Sequence, residues 1–476
     1  MKITTLIIAV IISINLYAQF GSSALMDAKS SGMGSTYNTT AKGIYTLGIN
    51  PANLVHGNNT DFEMSIPFPF PSLGVRGGTD FITIEDINYF FGGVDGKPRL
   101  LTDSDKERLN GLFEDGGKIS FDLGLEIFSA SYVSTPKVGA FGFSIKDYAG
   151  WYFQIPGAVS NLVLYGNTLG KVHDLSDADV KAMYIRSYSL SYAREIVEWK
   201  QKVFDKIAAG ISFKIYSGFA YAGTDQVNSS VELDNNLGVN TKSKLLAYSS
   251  FSPDLGVKYD FDSVETDPKP SPFMTPAGSG FGIDIGFTAV WKKNWTFSLA
   301  FTDIGSINWT GNNAKFATDV DYYIETFETE SEEGKKSQLD SLKEMFDTIA
   351  TKTGEFSTSL PTTLRMGAAY KFTKENSGVP GVLIVALDYN QGFNNLPGNS
   401  TTPRFSIGSE WKPMDWIPFI RTGFSFGGAN GFGWAFGLGI NMGVMDLDIA
   451  STNMETAFSP NSSKRVSVSI GSKWKF

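Results

Sequence analysis

Hydrophobic and polar residues alternate along much of this chain, and the alternation is most regular in residues 465–476. The apolar positions of this stretch are Val466, Val468, Ile470, Trp474 and Phe476. The positions between them are mostly polar and begin with Arg465. Because successive side chains of a strand point to opposite faces, the stretch is predicted to be a strand with one apolar and one polar face.

Thirteen other segments show the same period of two. They lie at 62–70, 121–127, 141–145, 188–192, 209–215, 281–287, 295–301, 364–372, 383–389, 405–407, 420–426, 434–440 and 445–450. Together with the last segment they make about fourteen strands, an even number as single-chain bacterial barrels require. A strand that ends on an aromatic residue is typical of the closing strand of such barrels. We therefore predict an all-β membrane protein, a closed antiparallel transmembrane β-barrel, with Trp474 and Phe476 as a C-terminal signal for the barrel assembly machinery.

The connections between these segments alternate in length. Short ones lie near 134–137, 199–204, 291–294, 372–378, 412–416 and 443–445, and long ones near 77–118, 150–182, 218–279, 305–360 and 391–402. Short periplasmic turns and long exterior loops are typical of these barrels, and both termini then lie on the periplasmic side. Residues 226–250 are predicted to form an exterior hairpin. If they crossed the membrane instead, the barrel would have sixteen strands.

The chain before the first strand is predicted to have two parts. Residues 1–18 combine a positive start with a short apolar run, which predicts a secretory signal peptide that is removed after export. Residues 19–60 lack strand alternation but contain tyrosine, leucine and isoleucine, which favours a plug folded in the lumen over a disordered tail. Residues 61–476 are assigned to the barrel. Within them, charged residues at about 330–350 are predicted to form an amphipathic helix over the exterior mouth.

Composition narrows the classes of function. The chain has no cysteine, which excludes disulfides and thiolate chemistry, and its two histidines have no nucleophile set beside them. A net charge of −9 argues against a nucleic-acid partner. We predict neither an enzyme nor a cofactor or metal site. Five tryptophans are predicted at the short turns, where indole rings favour the membrane boundary: Trp199, Trp291, Trp295, Trp411 and Trp416.

Charged residues at inward parity form the candidate lumen site. Those singled out are Lys214, Arg365, Arg404, Glu410 and Arg421, with Glu126, Lys146, Asp284 and Asp388 beside them. One interpretation is that these charges pair with each other and with the plug, because unpaired charges in a confined lumen are costly. The other is an arginine cluster that binds carboxylates. Arg186 and Arg194 share the outward parity and are predicted at the two membrane interfaces.

Two short motifs bear a family resemblance. Residues Ser31-Gly32-Met33-Gly34, followed by Asn50-Pro51-Ala52-Asn53-Leu54, resemble the N-terminal hatch of the long-chain fatty acid transporter (FadL-like) barrels. They equally resemble the related PorV-type barrels of Bacteroidetes. Asp303 to Trp309 resembles a motif of an uncharacterised branch of Bacteroidetes barrels. The resemblance implies a fourteen-stranded barrel closed by a hatch that includes Gly32, Met33, Gly34, Asn50, Pro51 and Ala52.

The resemblance also implies two alternative functions. FadL-like barrels bind or pass hydrophobic small molecules, whereas PorV-type barrels serve as accessory or scaffold proteins in type IX secretion or surface assembly. We expect the mature protein in the outer membrane of a Gram-negative cell, in contact with outer-membrane lipid. Its further partner is then either a hydrophobic small molecule or a secretion-system protein.

Overall fold

The computed structural model of the protein describes most of the chain. The described residues are 22, 27–56, 61–93, 97, 99–166, 169–196, 203–233, 238–257, 271, 273–324 and 350–476. The predicted signal peptide and nearly all of the predicted helix at 330–350 lie outside them. Ala350, the one described residue of that predicted helix, begins a short strand.

Antiparallel strands form one continuous sheet. They are β1 Phe62–Ser65, β2 Ser72–Thr79, β3 Gly117–Val133, β4 Ala140–Ile155, β5 Val172–Asp174, β6 Asp179–Glu195, β7 Lys206–Leu233, β8 Val239–Phe251, β9 Gly278–Trp291, β10 Trp295–Trp309, β11 Asn313–Ile324, β12 Ala350–Lys352, β13 Phe356–Ser359, β14 Thr363–Thr373, β15 Val382–Gly392, β16 Arg404–Lys412, β17 Phe419–Gly427, β18 Gly433–Asn441, β19 Met445–Ser451 and β20 Arg465–Lys475. Fourteen wall strands cross the barrel when β1 and β2 are counted as one and β5, β8 and β11–β13 are left out. The predicted count is thereby confirmed.

The sheet closes where the first and last wall strands meet. Both β1 and β2 pair with β3 on one side and with β20 on the other. The first strand is interrupted at 66–71, the stretch that contains Pro67 and Pro69, because proline has no N–H to donate to the ladder. From the sequence, these two prolines predict a distortion near the outer end of a strand at 62–70. The structure instead has the break inside the strand, which resumes at Ser72 and continues outward.

An exterior sheet extends the wall at one point. The first part of β7, as far as Gly218, pairs with β9, and the remainder from Ala220 pairs with β8. β8 in turn pairs with β11 along its whole length, and β12 adds to the base of β11. The predicted exterior hairpin is therefore present. Residues 224–233 of β7, which follow its last pairing with the wall strand β6 at Gly223, reach roughly 30 Å beyond the wall at about 3.3 Å per residue.

In the described part of the chain, the α-helices lie outside the strands, one of them before β1 and the others in the connections. They are Ala28–Gly32, Ile84–Phe91, Asp103–Leu112, Gly157–Tyr165, Lys374–Ser377 and Glu455–Phe458. From the sequence, short helices are predicted at 104–113 and 156–165, and both are present. The sequence did not predict the helix Ile84–Phe91. Its start is fixed by Thr83, whose hydroxyl accepts the N–H of Asp86 in a capping box. No helix among the described residues is long and apolar enough to cross a bilayer.

The outward face of the wall is apolar, as a lipid-facing surface requires. Leu190, Ile215 and Leu387 are 56–63% exposed there. Four of the five tryptophans predicted at the short turns lie in or beside those turns: Trp291, Trp295, Trp411 and Trp416. Trp199 lies outside the described residues. The Lys292 ammonium is 4.4 Å from the centre of the Trp291 ring, a contact suited to the headgroup boundary.

The prediction for Arg186 was wrong. Its guanidinium is buried, with Nε 2.5 Å and Nη2 2.7 Å from the two carboxylate oxygens of Asp147. The pair lies on the outward parity, but Met274 and its neighbours pack over that part of the wall in a cluster with Tyr184 and Phe219. A bulge at Phe219, seen as a register shift in the β6–β7 pairing, accompanies this departure from a lipid-facing surface.

Candidate site in the barrel lumen

Residues 27–56, here called the N-terminal segment, lie inside the barrel. Asp27 caps the helix Ala28–Gly32 by accepting the N–H of Lys29 at 2.8 Å. Two short 3-10 turns, Gly43–Thr46 and Pro51–His56, complete the segment. Almost every residue from 27 to 54 is buried, with Met33, Ile44, Ile49, Ala52 and Leu54 fully so. The segment therefore occupies the space that a porin would leave to water.

Glycines on the inner face of the wall make room for this segment. Gly408 and Gly423 both lie against the Met33 carbonyl, and a side chain on either would overlap that oxygen. Gly437 faces the Cα of Gly32 in the same way, and Gly210 faces Pro51. Gly142 and Gly286 face Leu47 and Asn50. We call these six positions the glycine belt: Gly142, Gly210, Gly286, Gly408, Gly423 and Gly437.

The predicted hatch residues all contact the wall or each other. Gly34 adopts a left-handed backbone, φ +66°, against Gly423, a conformation that glycine accepts without strain. The Asn50 amide donates to the Phe287 carbonyl at 3.2 Å, and its oxygen accepts the Ala52 N–H at 3.0 Å. Asn50 thus ties the turn that contains Pro51 and Ala52 to β9.

Asp388 holds the middle of the N-terminal segment. Its Oδ2 accepts the backbone N–H groups of Tyr37 at 2.5 Å and Asn38 at 2.7 Å. The Asn38 side chain donates in turn to the Met366 carbonyl at 2.9 Å. Hydrogen bonds to a buried carboxylate are stronger than neutral ones, so this wall residue anchors the segment by its backbone.

Glu410 and Arg421 belong to one buried network. Arg421 donates to Glu410 at 2.7 Å and to Asp448 at 2.5 Å. Lys29 of the N-terminal segment reaches the same Glu410 oxygen at 3.0 Å, and Tyr45 donates to Asp448 at 3.2 Å. The charges of these two predicted residues are thus matched within the wall and segment, which leaves neither for a ligand.

Lys214 is likewise satisfied within the wall. Its ammonium lies 2.8 Å from Asp284 and 2.6 Å from Asp303, and the Tyr216 hydroxyl also donates to Asp303. Asp303 adopts a left-handed backbone, φ +58°, at a register shift between β9 and β10. The structure therefore gives the motif that begins at Asp303 a local role, because the shift turns this carboxylate into the lumen.

Arg365 and Arg404 have a different environment. Arg365 donates to Thr302 and Asn390, both neutral, at 3.3 Å. Arg404 donates to the Ser35 carbonyl at 3.2 Å, and its buried Nε has no hydrogen-bond partner among the described residues. Of the five predicted lumen residues, Lys214, Glu410 and Arg421 are in ion pairs, and Arg365 and Arg404 donate hydrogen bonds to neutral groups.

An apolar cluster fills the outer half of the lumen. Trp309 at its centre is fully buried, and its ring lies 5.5 Å from that of Tyr221. The other buried members are Tyr148, Met183, Ile185, Tyr216, Ala277, Ile307, Leu360 and Leu396. Most come from inward positions of the wall, whereas Leu360 and Leu396 come from exterior connections. We call this set the outer-lumen cluster.

One ionisable group of the N-terminal segment is shifted by its surroundings. Burial raises the pKa of the Asp27 carboxyl to about 6, and the nearby charge of Asp448 acts in the same direction. A small enclosed space of about 10 Å³ lies beside Asp27 and Tyr45, enough for one water molecule.

Sequence reasoning missed three parts of this site. The glycine belt was not predicted, because a glycine at inward parity carries no sign of what fills its space. Asp303 and Asp448 were not assigned as partners of Lys214 and Arg421, because pairing across strands depends on register. The outer-lumen cluster was missed because inward residues were expected to be polar; Trp309 was quoted only as part of a motif.

The architecture defines a class of protein: a closed, fourteen-stranded β-barrel of the outer-membrane type, with an N-terminal segment in its lumen. Within that class, the chain belongs to a family of unknown function, DUF5723, which matches residues 51–450. No curated protein sequence matches the chain.

Solved structures similar to this barrel include FadL-family proteins. A TodX monoaromatic hydrocarbon channel, in a deltaS2S3 mutant form, is 12% identical with a TM-score of 0.45, and the alignment covers 94% of this chain and 99% of that one. A FadL homologue of Pseudomonas aeruginosa is 11% identical with a TM-score of 0.42, and the alignment covers 96% and 100% of the two chains.

Proposed function

We propose that this barrel binds hydrophobic small molecules in the outer half of its lumen and passes them inward when the N-terminal segment shifts. The observation that carries the proposal is the outer-lumen cluster. A barrel lumen is ordinarily polar, yet here Trp309, Tyr221 and Met183 form a buried apolar patch near the exterior mouth. Apolar walls with a few polar groups are typical of small-molecule pockets.

The position of two leucines supports an entry route from outside. Leu360 and Leu396 belong to the connections that follow β13 and β15, and both pack in the cluster. Displacement of these two side chains would uncover Trp309 without a break in the wall ladder. On the inner side, the N-terminal segment acts as a hatch between the cluster and the periplasm.

A binding measurement tests this proposal. The mature protein in detergent micelles is titrated with toluene and with dodecane, and saturable binding is followed by tryptophan fluorescence and NMR. We expect Leu360→Asp, which puts a charge in the cluster, to lower affinity at least tenfold. Leu100→Asp, at an exterior residue that is 92% exposed, is the matched control and should bind as the wild type does. No saturable binding by the wild type, or equal binding by Leu360→Asp, would overturn the proposal.

A second candidate function is a scaffold barrel of the PorV type. The exterior sheet favours it, because β7 has 28 residues and a strand crosses the membrane with about ten. Its exposed surface carries cross-strand ion pairs, Lys242 with Asp321 at 3.3 Å and Lys244 with Asp319 at 3.2 Å. Such a projecting sheet is not needed to bind a small molecule, but it suits contact with another protein.

Truncation of this sheet separates the two candidates. Residues 228–244 are replaced by a short turn between the paired residues Val227 and Leu245, and cells are assayed for surface-exposed proteins and for hydrocarbon uptake. Loss of surface proteins with unchanged uptake supports the scaffold. If the truncated variant keeps its surface proteins and Leu360→Asp loses uptake, the binding proposal is supported and the scaffold function is excluded.

A further inference from the structure

A groove of about 590 Å³ crosses the outward face of the wall, on β10 and β14–β17. Its sides are large apolar residues that are 37–58% exposed. They are Phe297, Met366, Leu387, Phe405, Ile407 and Phe426. The groove lies outside the barrel, so it is separate from the lumen site described above.

A single small residue creates the groove. Ala368 stands directly opposite Phe297 on β10 and Leu387 on β15 in the strand register. A methyl group among these large side chains leaves a depression that the protein does not fill. The lumen side of the neighbouring Gly367 is covered by Asn38 and Thr39 of the N-terminal segment, so the groove has a closed floor.

The chemistry of the groove admits an apolar occupant. Among the residues that line it, Asp388 carries the only charge, and its carboxylate is turned to the lumen, where it accepts from Tyr37 and Asn38. The Tyr389 hydroxyl at the outer end donates to Gln391 at 3.0 Å. The volume falls within the roughly 300–1,000 Å³ of small-molecule pockets, and the solvent at this surface is lipid hydrocarbon.

We infer that this groove is a binding site for an acyl chain of an outer-membrane lipid, which it retains while other boundary lipids exchange. A concave surface contacts more of a chain than the flat wall beside it, and the additional van der Waals contacts favour retention over chains in the surrounding bilayer. The headgroup then lies at the outer end, beside Tyr389 and Gln391. The inference goes beyond the proposed function, because it needs neither the lumen nor the N-terminal segment.

Native mass spectrometry tests the inference. The mature protein is placed in nanodiscs of palmitoyl-oleoyl phosphatidylethanolamine, released into detergent and scored for bound lipid. The wild type is expected to keep one lipid. Ala368→Trp fills the groove and should lower the retained lipid at least tenfold, with Ala368→Leu intermediate. Ala130→Trp is the matched control, since Ala130 lies on β3 directly opposite Met64 and Phe143 at a half-buried outward position.

Heat-dependent gel mobility is used to check that each variant forms a folded barrel. If Ala368→Trp does not fold, the comparison is made with Ala368→Leu, which is the milder change. The inference is overturned if the wild type retains no lipid, or if the folded groove variants retain as much as Ala130→Trp. It is also overturned if the wild type is a dimer that the groove variants dissociate, because a second copy of the chain would then occupy the groove.

Discussion

Lys473 donates to Glu63 at 3.2 Å inside the seam where the last wall strand meets the first, and both side chains are at most 3% exposed. Glu63 also accepts the backbone N–H of Ile44 at 3.3 Å. The Glu63 carboxylate therefore connects the first wall strand, the last wall strand and the N-terminal segment.

Loss of this pair should weaken the closed barrel. Lys473→Met removes the cation and leaves a buried carboxylate, a change that typically costs about 3–5 kcal/mol. Urea unfolding of the protein in lipid vesicles measures the loss. Lys206→Met is the control, because its pair with Glu195 is half-exposed and exposed pairs contribute about 1 kcal/mol or less. Equal losses in the two variants would contradict the role assigned to the seam.

A side chain in the glycine belt should displace the N-terminal segment. Gly423→Val would overlap the Met33 carbonyl, so we expect faster proteolysis of residues 27–56 and a higher single-channel conductance. Gly354→Val, where nothing lies within 4 Å of the added carbon, should leave both unchanged. A folded Gly423→Val barrel with wild-type conductance and protection would show that the segment does not close the lumen.

The anchor at Asp388 gives a more local prediction. Asp388→Asn keeps the shape but removes the charge that accepts two backbone N–H groups. Hydrogen bonds to charged groups contribute about 1.5–3 kcal/mol. Hydrogen exchange at residues 36–39 should therefore become about ten- to a hundredfold faster. Asp319→Asn changes an exposed pair and should leave exchange at residues 36–39 unaltered. Unchanged exchange in Asp388→Asn would show that Asp388 does not anchor the segment.

Docking of the N-terminal segment should weaken as pH rises between about 4 and 6. Burial raises the pKa of Asp27 from 3.8 to about 6. In that window the carboxyl is ionised when the segment is free but protonated when it is docked, so the docked state loses up to about 3 kcal/mol at 1.36 kcal/mol per pKa unit. Above pH 6 the loss is complete and constant.

Asp27→Asn tests this dependence, because asparagine also caps helices well. Hydrogen exchange of residues 28–34 should be slower in the variant than in the wild type at pH 7.5 and equal in the two at pH 4, after correction for intrinsic rates. Equal exchange at both values would show that Asp27 ionisation is not linked to docking.

The wall of the barrel was predictable because its signal is repeated. Each strand carries an outward row such as Phe297, Leu299 and Phe301, and the period of two survives errors at single positions. Short and long connections then set the count of fourteen. A distortion at Pro67 was predicted, but its position within the strand was not, because periodicity alone could not show that the strand resumes at Ser72.

The lumen was less predictable because it depends on register and on bulges. Arg186 has outward parity, but a register shift beside it and a covering connection bury it against Asp147. Arg421 was predicted to point inward, yet its partners lie on β16 and β19, which only the strand alignment brings together. Parity gives a direction for a side chain and does not give its neighbour.

The glycine belt has a consequence for how this sequence can change over time. At Gly408, Gly423 and Gly437 a substitution is tolerated only if the backbone opposite, at Met33 or Gly32, shifts as well. The N-terminal segment and the inner surface of the barrel are therefore expected to change together during evolution. Exchange of this N-terminus between distant homologues should fail unless the facing glycines are exchanged with it.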